Sequence, residues 1–468
     1  MTKITLTTKE FDQLPKQCVK IVLTEDKPDW HRLVETKDGR LEYRMGAGKR
    51  KDMTVRKYRT LVRSIVMAAK SHKLTHIALQ LGPMGCPKLE EKGSKWYYRT
   101  LAEQLQLATY EFTTYKSKKS DYALKEIMIC GIKKAADKQA FKTGLITGEA
   151  VNYTRDVANT SGEDMAPSQL AEAAKKAVSG TKAKVKVLDH KKIKQLKMGL
   201  LDAVGKGAKD KPRLIIIEYF GAAKKSAPVA LIGKGITYDS GGLNVKPTGA
   251  MHDMHMDMSG GAAVIGTMRA IAKLGLKKNV VALIPAAENS ISADCMRAGD
   301  IATSMSGQTV EILHTDAEGR LVLADAMTYA EKYYQPKAMI DVATLTGASL
   351  VALGQKTSAV LTKSKSLQDK LVEIGEDTGD LMWPLPLWDE YKSSLKSTRA
   401  DIANIAVNFA RWGGCIEGGT FLSFFAPKKT PWAHIDMAPR MESAAGDKLV
   451  KGATGEPVKT LLRYIETS

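Results

Sequence analysis

The chain has 468 residues, 44% hydrophobic and 26% charged, the proportions of a soluble globular protein too long for one ordinary core. No apolar run approaches the roughly 20 residues a membrane helix needs, and the opening MTKITLTTKEFDQLPK lacks the apolar centre of a secretory signal. The formal net charge is +20, and residues 1–150 carry 30 Lys and Arg against 17 Asp and Glu, so most of the surplus lies in the first third.

From the N-terminus, short apolar segments (CVKIVLT, HIALQLG, EIMIC) alternate with helical ones such as RKYRTLVRSIVMAAKS, which predicts a compact α/β domain over residues 1–135. Basic runs within it, GKRKDMTVRKYR (48–59) and YKSKKS (115–120), could attract nucleic acid, although no nucleic-acid-binding motif accompanies them. Residues 136–165 read as a linker, mostly one long helix, and Pro167 opens a new helix, SQLAEAAKKAV. A larger α/β domain over 166–468 follows, with a mixed central sheet. Its expected strands are 213–221, 229–236, 279–289 and 338–347, interleaved with helices such as GAAVIGTMRAIAKL. The five cysteines (18, 86, 130, 295 and 415) are scattered, odd in number and free of CxxC spacing. They argue for a reduced, cytoplasmic protein and against a disulfide framework.

Chemistry concentrates in three stretches of the larger domain: IGKGITYDSGGLNVKP (232–247), MHDMHMDMSGGAA (251–263) and LHTDAEGRLVLADA (313–326). Together they supply Lys234, Asp239, Lys246, Asp257, Asp316, Glu318 and Arg320. Four carboxylates on loops after strands are hard oxygen donors suited to divalent cations, and in one pocket they repel one another unless cations neutralise them. A lysine could join as a ligand only when neutral, a state the field of a metal ion can enforce.

Other features lead elsewhere. GKGITYDSGG lacks the order of a phosphate loop. His252 and His255 have HxxH spacing but suit an exposed loop, whereas His314 lies closer to the acids. Met251, Met254, Met256 and Met258 suit pocket wall and core. His434, two residues before Asp436, resembles half of a triad, but no nucleophile elbow completes it, which favours packing.

The segment HTDAEGRLVLADA resembles the NTDAEGR motif of the leucyl (cytosol) aminopeptidase family, and GKGITYDSGGLNVKP and MHDMHMDMSGGAA resemble that family's two other metal-binding segments, in the same order. GDIATSMSGQTVEILH, DVATLTGA, WAHIDMA and KGATGEPVKTL extend the match over about 165–468; it is weak before that. The resemblance implies a dinuclear metallopeptidase. One tightly held ion would be bound by Lys234, Asp239, Asp257 and Glu318, and an exchangeable one by Asp239, Asp316 with its main-chain carbonyl, and Glu318. Zinc is the usual metal, with manganese, magnesium or cobalt replacing the exchangeable ion. Two such ions roughly 3.5 Å apart activate a shared water. Lys246 would stabilise the oxyanion, and Arg320 would hold a bicarbonate that relays the proton. Met254 and Ala453 would belong to the side-chain pocket, and Thr344, Leu345 and Gly347 would line the cleft and hold the substrate backbone. The expected activity is removal of N-terminal residues, Leu or Met preferred, from short peptides by a homohexamer. His314 stands where the family has Asn, which leaves metal preference and pH optimum open. A nucleic-acid-binding or regulatory role for the basic N-terminal domain is the alternative.

Overall fold

The computed structural model describes residues 2–28, 30–82, 85–118, 122–223, 226–408 and 412–468. Lys119 and Ser120 of the second basic run lie outside the described residues. The chain divides into two compact units, Met1–Asn152 with Ala445–Lys451, and Tyr153–Ala444 with Gly452–Ser468.

In the first unit, the strands β1 (Lys3–Thr7), β2 (Val19–Thr24), β3 (His31–Glu35), β4 (Leu41–Gly46), β5 (His76–Leu79) and β6 (Glu126–Cys130) form one sheet in the order β1-β6-β5-β2-β4-β3. Pairing is parallel except at the edge, where β3 runs against β4. Parallel neighbours need crossovers, and the helices Val55–Ser71 and Gly93–Thr109 supply them. The first helix begins at Thr54, whose hydroxyl accepts the Lys57 N–H at 3.2 Å, and buries Tyr58, Val62, Ile65, Val66 and Ala69 along one face.

The long helix expected after this unit spans Ala135–Asn159, and the division between the units falls within it, at Asn152 and Tyr153. A short 3-10 turn, Glu163–Met165, precedes the helix Pro167–Val178, whose proline occupies the first turn, where a missing N–H costs nothing.

The second unit is built on a nine-stranded sheet. Its strands are β7 (Lys184–Leu188), β8 (Arg213–Phe220), β9 (Val229–Gly233), β10 (Gly235–Asp239) and β11 (Asn279–Asn289), then, after β12 (Ile301–Thr303) and β13 (Thr309–Glu311), β14 (Ala338–Ala343), β15 (Ser358–Leu361), β16 (Met382–Pro384) and, after β17 (Ile402–Ala403), β18 (Trp432–Asp436). The order is β16-β15-β18-β14-β9-β11-β8-β7, with β10 also beside β11. The centre, β18-β14-β9-β11, is parallel, while β8, β7 and β15 bring in antiparallel pairs, so the sheet is mixed. Central strands buried on both faces explain their continuous apolar sequences. β12, β13 and β17 make a separate small sheet.

One expected strand, 229–236, is two. The chain breaks step at Lys234, whose N–H donates to Val342 O at 2.9 Å and whose carbonyl accepts from Gly261 N–H at 2.7 Å. The helix Ser259–Leu274 presses directly on this point: a Cβ on Gly260 would lie 2.2 Å from Val342 O. His434 pairs with Asp341 across β18 and β14, Nδ1 to Oδ1 at 2.6 Å, with both side chains fully buried, and Asp341 also accepts from Trp432 Nε1 at 2.7 Å. This fixes His434 as a core pair, with Asp341 rather than Asp436 as its partner.

Candidate metal centre

The carboxyl ends of the parallel strands deliver the site. Lys234 follows β9, Asp239 ends β10 and Thr344 follows β14, so three side chains from separate parts of the sequence meet on one edge, where open α/β sheets place ligands. The helix Gly319–Tyr334 carries Glu318 at its N-cap and Arg320 in its first turn. Asp257 ends the 3-10 turn Met254–Met256, two residues before the helix Ser259–Leu274. A cleft of about 620 Å³ is lined by Lys234, Asp239, Lys246, Asp257, Asp316, Glu318 and Arg320, all seven charged residues singled out in the sequence.

Within it the charges interlock. Lys234 Nζ lies 2.8 Å from both Asp257 Oδ2 and Glu318 Oε1 and donates to Thr344 O at 2.9 Å. Lys246 Nζ lies 2.8 Å from Asp239 Oδ2 and 2.5 Å from Asp316 Oδ1. Asp239 Oδ1 accepts from Gly241 N–H at 2.9 Å and Asn289 Nδ2 at 2.8 Å, while Asp257 Oδ1 accepts from Thr344 Oγ1 at 2.8 Å. The positive φ of Gly241, +86°, lets the chain fold back over Asp239, and a Cβ there would meet Asn244 O at 2.4 Å. Gly319 is equally constrained, since its Cβ would lie 2.5 Å from Lys234 Cε.

The acids need more positive charge than two lysines provide. Burial, with the fields of neighbouring acids added, pushes Asp257 well above the usual carboxylate range, raises Glu318 and lifts Asp316 to about 7. Asp239 is held low: burial works to raise it, but Lys246 and Lys234 prevail. Burial also works against the Lys234 ammonium, yet Asp257, Glu318 and Asp239 together raise its pKa. Asp257 Oδ2, Glu318 Oε1 and Asp316 Oδ1 are buried and are answered only by a lysine ammonium, at 2.8, 2.8 and 2.5 Å. Asp239, Asp316 and Glu318 each offer an oxygen within 4.8 Å of the others. Buried carboxylate oxygens that converge in this way are a donor set for hard divalent cations, and the residues present fit them.

Met254, Thr344, Leu345 and Gly347 line the cleft, and Ala453 is not among its lining residues. Ala453 is buried, its N–H donating to Asn159 Oδ1 and its carbonyl accepting from Arg155 Nε. Ala438 and Met441 do line the cleft, as do Glu417, Ile405 and Ala406, none of which the sequence singled out. His314 lines it too, its Nδ1 accepting the Asp316 N–H at 3.3 Å, while burial and then Lys246 and Arg320 lower its pKa. His252 is exposed and sits in a neighbouring depression with Tyr238 and Thr248. Met254 is pocket wall, and Met256 and Met258 are core.

Asn404 was also invisible beforehand. Its Oδ1 accepts from Leu313 N–H at 2.8 Å, its Nδ2 donates to His314 O at 2.7 Å, and its carbonyl accepts from Arg320 Nη1 at 2.7 Å. It thereby clamps the loop that carries Asp316 and Glu318. Asn404→Ala is expected to weaken metal affinity or activity by roughly 10–100-fold, the usual cost of losing a group that orients ligands. Metal titration against the unmodified chain checks this.

Comparison with known proteins agrees with the geometry. Residues 152–462 match the cytosol aminopeptidase family, catalytic domain, and residues 43–119 match the N-terminal domain of the same family. A "probable cytosol aminopeptidase" of Pseudomonas aeruginosa is 44% identical over 90% of this chain and 84% of its own length. One from Paraburkholderia phymatum is 42% identical over 90% and 82%. Among solved structures, a tomato leucine aminopeptidase mutant has a TM-score of 0.88 at 28% identity, covering 100% of this chain and 97% of its own. The bottromycin maturation enzyme BotP in complex with Mn has a TM-score of 0.86 at 29% identity, covering 97% and 99%. With both domains matched and the charged residues gathered in one cleft, the chain belongs to the cytosol aminopeptidase family and is a metal-dependent aminopeptidase, a hydrolase.

Proposed function

We propose that the chain removes N-terminal residues, Leu and Met foremost, from short peptides at a centre of two divalent ions. The observation that carries this is the convergence of four carboxylates in one cleft, three of them with buried oxygens that face only a lysine, beside an apolar wall. Lys234, Asp239, Asp257 and Glu318 would hold the first ion, and Asp239, Asp316 with its main-chain carbonyl, and Glu318 the second. Zinc suits the first. The manganese named for BotP supports manganese at the exchangeable position, with magnesium or cobalt as substitutes. Bound ions of this kind supply Lewis acidity, polarising a carbonyl and lowering the pKa of a water.

The chain's own residues do the rest. Lys246 is a cation poised over Asp239 and Asp316, placed to stabilise negative charge on the scissile carbonyl oxygen. Thr344, Leu345 and Gly347 form the wall that holds the peptide backbone. Met254, Leu345, Ala438 and Met441 offer an apolar surface to the first side chain; such pockets discriminate by only about 1–3 kcal/mol, so specificity is broad. Arg320 holds a carboxylate-type anion, bicarbonate in the first instance, to relay a proton: its Nε is buried without a hydrogen-bond partner. kcat/KM for leucyl, methionyl, aspartyl and lysyl chromogenic substrates tests the preference; no advantage for leucine or methionine would remove it.

Metal uptake is expected to release protons. Lys234 must lose its proton to become a ligand, and Asp316, lifted to about 7, must lose its own at lower pH. Affinity therefore weakens as pH falls throughout the working range, because Lys234 gives up a proton at every such pH, and more steeply below about 7, where Asp316 gives up a second. Titration calorimetry in buffers of different ionisation enthalpy measures both.

A homohexamer acting in the cytoplasm is part of the proposal. Exposed Val351, Trp412, Trp388 and Trp383, at 89, 84, 62 and 60% exposure, are large apolar surfaces suited to association, and all five cysteines are free. Among the described residues no helix is long and apolar enough to cross a membrane. The basic surplus of residues 1–150 favours one second reading, nucleic-acid binding. A gel shift with no retardation at low salt would end it.

A further inference from the structure

Pairing with Asp341 takes His434 away from Asp436, the acid two residues beyond it. Asp436 is the last residue of β18, on the same face of the sheet as His434, and it is fully buried. Four donors converge on its carboxylate. Oδ1 accepts from Leu345 N–H at 3.1 Å and from Ala438 N–H at 3.2 Å. Oδ2 accepts from Thr346 Oγ1 at 2.7 Å and from Cys415 Sγ at 3.5 Å. Leu345, Thr346 and Ala438 line the cleft, while Asp436 lies behind them and does not.

These donors come from three parts of the fold. Leu345 and Thr346 follow β14, Ala438 opens the turn after β18, and Cys415 lies on the helix Gly414–Ser423. The same helix packs on the Leu345 side chain: a Cβ on Gly418 would lie 2.8 Å from Leu345 Cδ2. Ladder pairing between β14 and β18 runs only to Ala343 and Asp436. Beyond that point a single carboxylate oxygen bridges the two loops. Hydrogen bonds to an ionised acceptor are roughly twice as strong as neutral ones, and removing the carboxylate would leave both backbone N–H groups without their acceptor.

We propose that Asp436 is a positioning residue that sets the width of the pocket for the first side chain, by holding Leu345 and Ala438 at a fixed separation. The inference rests on the reading of Met254, Leu345, Ala438 and Met441 as that pocket. Asp436 acts through the two loops and does not meet the substrate. A pocket kept at a set width favours a branched side chain over a methyl group, and a slack one loses that preference.

The test compares wild type, Asp436→Ala and Asp436→Asn as metal-loaded full chains on leucyl and alanyl chromogenic substrates. Amide hydrogen exchange is read by mass spectrometry on the same three chains. Wild type is expected to prefer leucine. Asp436→Ala should lower the leucine-over-alanine ratio of kcat/KM by roughly 10-fold, mostly through KM for the leucyl substrate, at normal metal content. Exchange should quicken in peptides covering 344–347 and 437–441 and stay as in wild type over 313–320. Asp436→Asn keeps an acceptor for the two N–H groups without the charge, so both changes should be smaller. It decides the matter where the alanine variant does not fold. A deciding variant with the wild-type ratio or wild-type exchange overturns the proposal. An equal loss on both substrates overturns it too, as general support of the fold, and so does a fall in metal content, as support of the metal centre. Wild type with no preference for leucine overturns the pocket reading as well.

Discussion

Glu318→Ala is expected to abolish hydrolysis of a leucyl substrate and to lower the metal content of the purified chain. Glu318 is 1% exposed, caps the helix Gly319–Tyr334, and presents an oxygen both to Lys234 and to the cluster shared with Asp239 and Asp316. It serves both proposed ions, so its loss should exceed the roughly 10–100-fold that changes in the surrounding shell cost. Folding is preserved in outline, because Lys234 keeps Asp257 and Thr344 O as partners. Circular dichroism separates loss of the site from loss of the fold. A folded Glu318→Ala chain with full activity would contradict the metal centre.

Lys246→Met is the second large effect, of a different kind. The ammonium touches Asp239 and Asp316 from the cleft side and is placed for charge that develops on the substrate carbonyl. Removing such a donor typically costs about 10²–10³ in kcat. KM and metal content should change little, since the interaction is stronger in the transition state than in the bound substrate. Lys246→Arg should not restore the rate, because a longer, planar guanidinium spreads its charge and presents its donors at different points from the compact ammonium. A loss confined to KM would assign Lys246 to ground-state binding instead.

The sequence disclosed what is contiguous and hid what is assembled across distance. β11 stands out because NVVALIPAAEN is apolar throughout, and the structure gives it the same limits, Asn279–Asn289. The four cleft carboxylates stand out because each lies in a short segment with a glycine within three residues. The break at Lys234 does not show, because VALIGKGI reads as one strand until the helix Ser259–Leu274 is seen pressing on it. β13 and β17, of three and two residues, carry too little pattern to be recognised. Asn404 acts on residues about ninety positions earlier, with nothing local to mark it. Ala438 and Met441 lie on the turn after β18, where only packing reveals that they, and not Ala453, reach the cleft. Glu417 is one acid in a glycine-rich helix, and only the packed structure shows that it lines the cleft.

The most direct measurement is elemental analysis of the purified chain paired with activity, before and after exhaustive chelation and on return of zinc, manganese or cobalt. Two divalent ions per chain, loss of activity as they are removed and recovery as they are restored are predicted. A chain that retains full activity when stripped of metal, or that reaches full activity with a single ion, would contradict the two-ion centre.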